Sequence, residues 1–283
     1  MALISSTQLF KKAKEEKYAI PAFNFENMEM AKGIIEACSE ENSPVIMQTT
    51  TSTLKYIAPE IAYEIVNYYA KEYNIDVVLH LDHGASYELC KRCIDAGYTS
   101  FMIDGSKLDF EENIALSKKV IGYASKYNVP VECELGRVGG KEDETIVNDK
   151  DVLLTNPDKA LEFADRTKCS SLAIAIGTAH GFYKKAPNLD FERLDKINKM
   201  VSVPLVLHGT SGTKDEDVKK AISLGMCKVN YATDLRAAFT KGVRDCLQME
   251  SVYDPKEYNK AGIETLKLRV KELIEVCGSK NKA

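Results

Sequence analysis

Short apolar runs rich in β-branched residues alternate along the chain with longer stretches whose apolar residues recur at helical spacing. The runs cover residues 18–24 (YAIPAFN), 44–50 (PVIMQTT), 76–82 (DVVLHLD), 99–104 (TSFMID), 129–135 (VPVECEL), 171–177 (SLAIAIG), 203–208 (VPLVLH) and 227–231 (CKVNY). Between and after them the periodicity predicts helices over 28–41, 59–73, 86–96, 109–126, 157–167, 190–200, 214–224 and 233–247. One helix, capped by Ser5 or Ser6 and ending at Lys17, precedes the first run, and another, about 256–276, follows the last. Strands alternating with helices imply a parallel sheet. Eight such units in 283 residues predict an α/β fold closed into a (β/α)8 TIM barrel, a single domain over 1–283 with an extra N-terminal helix and a C-terminal helical extension. An open doubly wound sheet is the rival, but it usually begins with a glycine-rich phosphate turn, and Phe23-Asn24-Phe25-Glu26 has no glycine.

In a barrel of this kind the chemistry sits at the C-terminal ends of the strands. Those ends deliver Asn24, Thr50, Asp82, His83, Asp104, Glu132, Glu134, His180, His208 and Asn230. Each is unremarkable alone; together, polar ends on eight apolar strands describe a site lining. The protein has four histidines, and three of them, His83, His180 and His208, stand directly before a glycine at the close of an apolar run. Neutral imidazole is a common metal ligand, and a catalytic zinc site needs three protein ligands plus an open position. A lone histidine at a strand end is more often a satisfied polar residue, and His80, which has no following glycine, is read as a barrel or packing residue. Three in one sequence context predict a shared metal.

Two further stretches bear on the rim. Gly209-Thr210-Ser211-Gly212 and Asn230-Tyr231-Ala232-Thr233-Asp234 each lead into a helix, and glycine, small hydroxyls and helix-start N–H groups make an anion cradle. Lys184 follows the sixth strand closely. Residues 136–155 form a polar segment long for a connection within a barrel, with glycines for hinge motion and carboxylates, Glu142 among them, as proton carriers. A solvated surface excursion is the plainer reading of that segment.

Composition narrows the class. A formal net charge of -4 argues against a nucleic-acid or anionic-membrane surface, and no apolar run approaches the ~20 residues that span a bilayer. Without a signal-like N-terminal segment, a cytoplasmic location and reduced cysteines are expected. Cys90-Lys91-Arg92-Cys93 has redox-motif spacing, but it lies within a helical pattern and is read as structural. The last helix, carrying Leu266, Leu268, Val270, Leu273 and Ile274, has more apolar surface than a free tail needs. A metal-dependent barrel hydrolase or isomerase is the alternative enzyme class, disfavoured by the lack of an H-x-H pair or a second ligand cluster. A non-enzymatic sugar-phosphate binder is the alternative outside enzymes.

The motifs LDHG at 81–84, ExELG at 132–136, GTAHG at 177–181, LHGTSG at 207–212 and KVNxxT at 228–233 resemble those of the class II, zinc-dependent ketose-bisphosphate aldolases, in the same order and over nearly the whole chain. The resemblance implies that His83, His180 and His208 ligate catalytic Zn2+, with Glu134 a carboxylate able to approach the metal. It implies that Asp82 is the acid/base at the C4 hydroxyl of the sugar and that Glu142 moves a proton at C3. Gly181, Lys184, Gly209, Ser211, Asn230 and Thr233 match positions around the dihydroxyacetone-phosphate half, with Thr210 in the same turn. Gly181 and Gly209 also match a monovalent-cation site (Na+ or K+). Asn24, Thr50 and Asp104 match lining positions. The implied reaction is reversible cleavage of fructose 1,6-bisphosphate to dihydroxyacetone phosphate and glyceraldehyde 3-phosphate, a step of glycolysis and gluconeogenesis. Tagatose 1,6-bisphosphate is the alternative substrate, because Ala232 stands where many fructose-specific members carry aspartate. The resemblance and the last helix together imply a homodimer or homotetramer.

Overall fold

A computed structural model describes residues 3–142, 145–147, 152–181 and 187–283, excluding the side chains of 141, 142 and 145–147. Eight parallel strands close into a barrel: β1 (Ile20–Asn24), β2 (Val45–Thr49), β3 (Val77–Gly84), β4 (Ser100–Ile103), β5 (Val131–Leu135), β8 (Ser171–Ile174), β10 (Leu205–Leu207) and β11 (Met226–Tyr231), with β11 returning to pair with β1. All eight expected strands are present, each within a few residues of its expected bounds. The short antiparallel pair β6 (Gly139–Glu142) and β7 (Thr145–Val147), together with β9 (Ala179–His180), makes a separate three-stranded sheet.

The helices are α1 (Ser6–Glu16), α2 (Met28–Glu40), α3 (Thr51–Tyr56), α4 (Pro59–Glu72), α5 (Tyr87–Asp95), α6 (Phe110–Ala124), α7 (Pro157–Thr167), α8 (Phe191–Met200), α9 (Asp215–Ser223), α10 (Thr233–Cys246) and α11 (Pro255–Cys277). Local chemistry sets their starts. Asn27 caps α2 by accepting from Met30 N–H at 2.9 Å, and Ser86 caps α5 by accepting from Leu89 N–H at 3.1 Å. Pro157 opens α7, where its missing N–H costs nothing, after the Asn156 cap.

The main core lies between the barrel and its ring of helices. A second cluster fills one end of the barrel: Phe10 and Ala13 of α1 pack on Tyr18, Ile20, Ala22, Ile46, Val78 and Cys227. These residues lie toward the N-terminal ends of the strands, so α1 plugs that end with apolar surface. The opposite end is left to the polar strand termini.

Three sequence expectations change. The polar segment 136–155 is not simply a loop: where described, it forms the β6–β7 hairpin, with Arg137 and Leu153 bridged at its base. Its strand β6 pairs with β9 in the register Gly140 with His180, so the segment is tied to the site. That approach needs glycine, since Gly140 has φ +89° and a Cβ there would lie 2.2 Å from the His180 carbonyl oxygen. The short helix α3 was not expected. The apolar face of α11 is largely spent on its own chain, because Leu266, Val270, Leu273 and Ile274 are buried and only Leu268 is exposed. Cys90 and Cys93 are free and buried, and burial raises both thiols (Cys90 to about 12), so neither is a reactive thiolate. Among the described residues, no helix is long and apolar enough to cross a membrane.

Candidate metal centre and substrate cleft

His83 lies near the end of β3 with a left-handed backbone (φ +46°), a conformation a non-glycine residue adopts only when its surroundings enforce it. Here Thr51 Oγ1 donates to the His83 carbonyl at 3.0 Å, and Gly84 packs against β4 so closely that a Cβ would meet the Met102 carbonyl at 2.4 Å. His180 is carried by β9, and His208 follows β10. Gly209, next to His208, has φ +66°, and a Cβ there would lie 2.7 Å from the Ala179 backbone. That close passage draws the His180 and His208 segments together.

The three rings meet edge to face, with centroids 4.7 Å apart for His83 and His208, 5.3 Å for His83 and His180, and 6.2 Å for His180 and His208. One nitrogen from each lies within 4.8 Å of the others. His83 Nε2 and His208 Nδ1 are 2.9 Å apart. Metal–nitrogen bonds of about 2.0–2.1 Å in a tetrahedral site put ligand nitrogens roughly 3.3 Å apart, so small shifts admit one ion. Three imidazole nitrogens this close fit a zinc-like divalent cation.

Each of two rings is held from behind by a carboxylate. Asp104 Oδ2 lies 3.0 Å from His83 Nδ1. Burial alone would raise the Asp104 carboxyl, but the bonds to His83 and Ser106 hold it well below the usual carboxylate range. Glu132 Oε1 lies 2.9 Å from His208 Nε2. Burial, partly opposed by Glu132, pushes the His208 imidazole toward its neutral form, the form that ligates metal. Glu134 Oε2 is 3.7 Å from His83 Nδ1, on the Asp104 side of the ring rather than in the three-imidazole cluster.

Asp82 is buried beside this cluster, its Oδ1 3.9 Å from His83 Nε2. Three amide side chains from three strands donate to its carboxylate. Asn24 and Gln48 bond Oδ2 and Asn230 bonds Oδ1, each at 3.2 Å. Gln48 also donates to Asn24 Oδ1 at 2.7 Å. The arrangement holds the Asp82 carboxylate in one orientation beside the imidazole cluster.

A cleft alongside is lined by Asn24, His180, Gly181, Gly209 and Asn230, and by Thr210, Ser211, Ala232, Thr233 and Arg236. Thr210 Oγ1 donates to the Asn230 carbonyl and Ser211 Oγ accepts from Asp234 N–H at 3.3 Å, which ties the two turns together. The helix α10 starts here with Ala232 as its cap, a residue with no side-chain acceptor. A helix start opening on a cleft of hydroxyls and glycines suits an anionic oxygen group.

Thr50 serves as the cap of α3, accepting from Thr53 N–H, and does not line this cleft. Glu142 ends β6, the strand paired with the His180 segment, but its side chain lies outside the described residues, as does Lys184. Gln48, the placement of Glu132 behind His208, and Lys228 beyond it were not assigned roles from the sequence. A glutamine and a lysine inside predicted barrel strands, VIMQT and CKVNY, were the available signals.

A closed parallel barrel that gathers three imidazoles, a caged carboxylate and a cleft of glycines and hydroxyls at one rim has the donor set of a divalent-metal site. The family model for class II fructose-bisphosphate aldolase matches residues 4–282, and the chain belongs to that family. It is similar to the YdjI aldolase from Escherichia coli K12, with 36% identity and a TM-score of 0.89 over 99% of both chains. A putative fructose-1,6-bisphosphate aldolase from Coccidioides immitis matches at 29% identity and TM-score 0.89, over 97% of this chain and 96% of that one. Fructose-bisphosphate aldolase from Campylobacter jejuni matches at 28% identity and TM-score 0.85, over 100% of this chain and 97% of the other.

Proposed function

We propose that the protein is a zinc-dependent aldehyde-lyase that cleaves fructose 1,6-bisphosphate reversibly to dihydroxyacetone phosphate and glyceraldehyde 3-phosphate. The observation that carries the proposal is the convergence of His83, His180 and His208 beside the Asp82 carboxylate. A bound zinc ion supplies Lewis-acid stabilisation of the negative charge released when a carbon–carbon bond parts. Asp82 takes the proton of the C4 hydroxyl, its carboxylate aimed by Asn24, Gln48 and Asn230. Glu142, on the hairpin paired to the His180 segment, returns a proton at C3. The cleft formed by Gly181, Gly209, Thr210, Ser211 and Thr233 receives the phosphate of the dihydroxyacetone half, with Lys184 nearby in sequence. Gly181 and Gly209 also carry the proposed monovalent-cation site.

Tagatose 1,6-bisphosphate is the second reading, and Ala232 in the cleft lining favours it by offering no carboxylate to the sugar hydroxyls. The homodimer or homotetramer now rests on the family resemblance alone, since α11 covers its own barrel; sedimentation of the purified protein decides. The reaction itself is tested by supplying both bisphosphates side by side, with and without chelator, and counting metal per subunit. Chelator-sensitive release of triose phosphates is expected. Chelator-resistant cleavage, or trapping of substrate on a lysine by borohydride, overturns the proposal.

A further inference from the structure

The barrel interior below the metal position is charged. Lys228 on β11 and Glu132 on β5 are both essentially inaccessible, with Lys228 Nζ donating to Glu132 Oε2 at 2.8 Å. Two strands, β10 and β8, separate β11 from β5 around the barrel, so the pair meets across the interior. Burying such a pair is a poor route to stability, because apolar residues of similar volume commonly do as well or better. Its contacts give it another role. Glu132 Oε2 also accepts from Ser171 at 3.5 Å, and its other oxygen faces His208 Nε2 at 2.9 Å. Lys228 Nζ reaches His80 Nε2 at 3.3 Å, and His80 Nδ1 lies 2.8 Å from Ser100 Oγ.

We infer that the Lys228–Glu132 pair is a positioning device that locks the His208 ring with its proton on Nε2 and its lone pair on Nδ1, toward the metal. The inference rests on the reading of the three imidazoles as a metal site. An ammonium only donates, and an ionised carboxylate only accepts. With Lys228 on Oε2, Glu132 demands a donor at Oε1, and the atom found there among the described residues is His208 Nε2. A neutral imidazole has one N–H, so Nδ1 keeps its lone pair, and Nδ1 is the atom 2.9 Å from His83 Nε2 within the cluster. The same ammonium fixes His80 in the opposite sense, Nε2 accepting and Nδ1 donating to Ser100. One cation therefore sets the direction of every bond in the chain. Asp104 does a related job for His83 at the partly exposed rim, but Glu132 is buried, where water cannot substitute for it.

The test uses the full-length zinc-loaded protein and two variants, Lys228→Met and Glu132→Gln. A long-range ¹H–¹⁵N spectrum of the ¹⁵N-histidine-labelled protein should show His208 protonated at Nε2 and bonded to metal through Nδ1. Chelator competition should give a zinc dissociation constant raised about 10–100-fold in Lys228→Met, although Lys228 contacts no metal ligand directly. The Co2+-substituted variant should show an altered visible spectrum. In the double variant the loss should match that of Glu132→Gln alone, because the lysine acts through the glutamate. A purely structural pair would lower the melting temperature and leave zinc affinity and the Co2+ spectrum unchanged, which overturns the inference. A His208 proton on Nδ1 overturns it even where a variant fails to fold. If the wild-type protein binds no zinc, the functional proposal falls with it; if the wild type binds tightly and both variants match it, only the positioning role is lost.

Discussion

Replacing Asp82 with Asn separates proton transfer from metal binding and from folding, because the substitution keeps shape and removes only charge. The native carboxylate accepts three amide N–H groups at 3.2 Å. In the variant, the retained carbonyl oxygen still serves Asn24 and Gln48, while the new NH2 faces the Asn230 amide nitrogen. Asn230 Oδ1 is buried and has no hydrogen-bond partner among the described residues, so a flip of the Asn230 amide presents an acceptor to that NH2. All three contacts then persist as neutral bonds, each weaker than a charge-assisted one by about 1 kcal/mol. Relief from burying an ionised group offsets much of that sum. The net stability change is therefore about 1 kcal/mol or less, a shift of about 2–4 °C in a chain of this size. Zinc content should be unchanged, since Asp82 is not one of the three clustered ligands. The chemical step loses its base. General-base catalysis contributes about 10²–10⁴-fold, or roughly 3–5 kcal/mol of barrier. The assay is a coupled measurement of triose phosphates at saturating ketose bisphosphate, with metal analysis and circular-dichroism melting on the same preparation. A kcat within about threefold of wild type (under 1 kcal/mol) removes Asp82 from the proton transfer. Loss of zinc together with activity instead makes it a ligand.

Two other perturbations probe the groups around the cluster. Asp104→Asn keeps a partner for His83 Nδ1 but gives up the charge, and zinc affinity should fall about 10-fold with the fold intact; unchanged affinity in a chelator titration denies Asp104 its orienting role. His80 is held neutral by burial first and by the Lys228 charge second, so its folded pKa lies well below the ordinary 6.5 of the unfolded chain. A depressed value means that the unfolded state takes up the proton first. Stability is therefore full above 6.5 and declines as pH falls below it, by about 1.4 kcal/mol per pH unit for one group. Urea midpoints at stepped pH should show that contribution in the wild type and lose it in His80→Gln; identical pH slopes in the two proteins contradict it.

The alternation of strands and helices was legible because each barrel strand is buried on both faces and each helix on one, and these give different sequence periods. The three His-Gly pairs were legible for a related reason. Where chain segments must converge, as at Gly209 against Ala179, backbone approaches leave no room for a side chain, and the demand for glycine is written locally. The antiparallel pair over 139–142 and 145–147 was not legible, because strands of four and three residues are too short to show a period and the first, GGKE, has no apolar residue; β6 is defined by its pairing with β7 and with the His180 segment. Thr50 shows a second use of a strand-end hydroxyl. A hydroxyl at a strand end can face the cleft or cap the next helix, and without α3 in view the second use was invisible.

The ring of partners behind the cluster has a deeper reason for escaping the sequence. Whether Glu132, Lys228 and His208 share one layer of the interior depends on strand tilt and stagger, which are properties of the closed barrel and of no single strand. Residues 132 and 228 are 96 positions apart on non-adjacent strands, and only closure brings them to 2.8 Å. The same closure explains the division of the barrel. At one end α1 inserts Phe10 and Ala13, so inward side chains there are apolar; higher up, the interior holds charges that satisfy one another. The polar rim is therefore the top layer of a polarised interior rather than a set of independent loop residues. One of its imidazoles, His208, is held from below by Glu132, which Lys228 holds in turn.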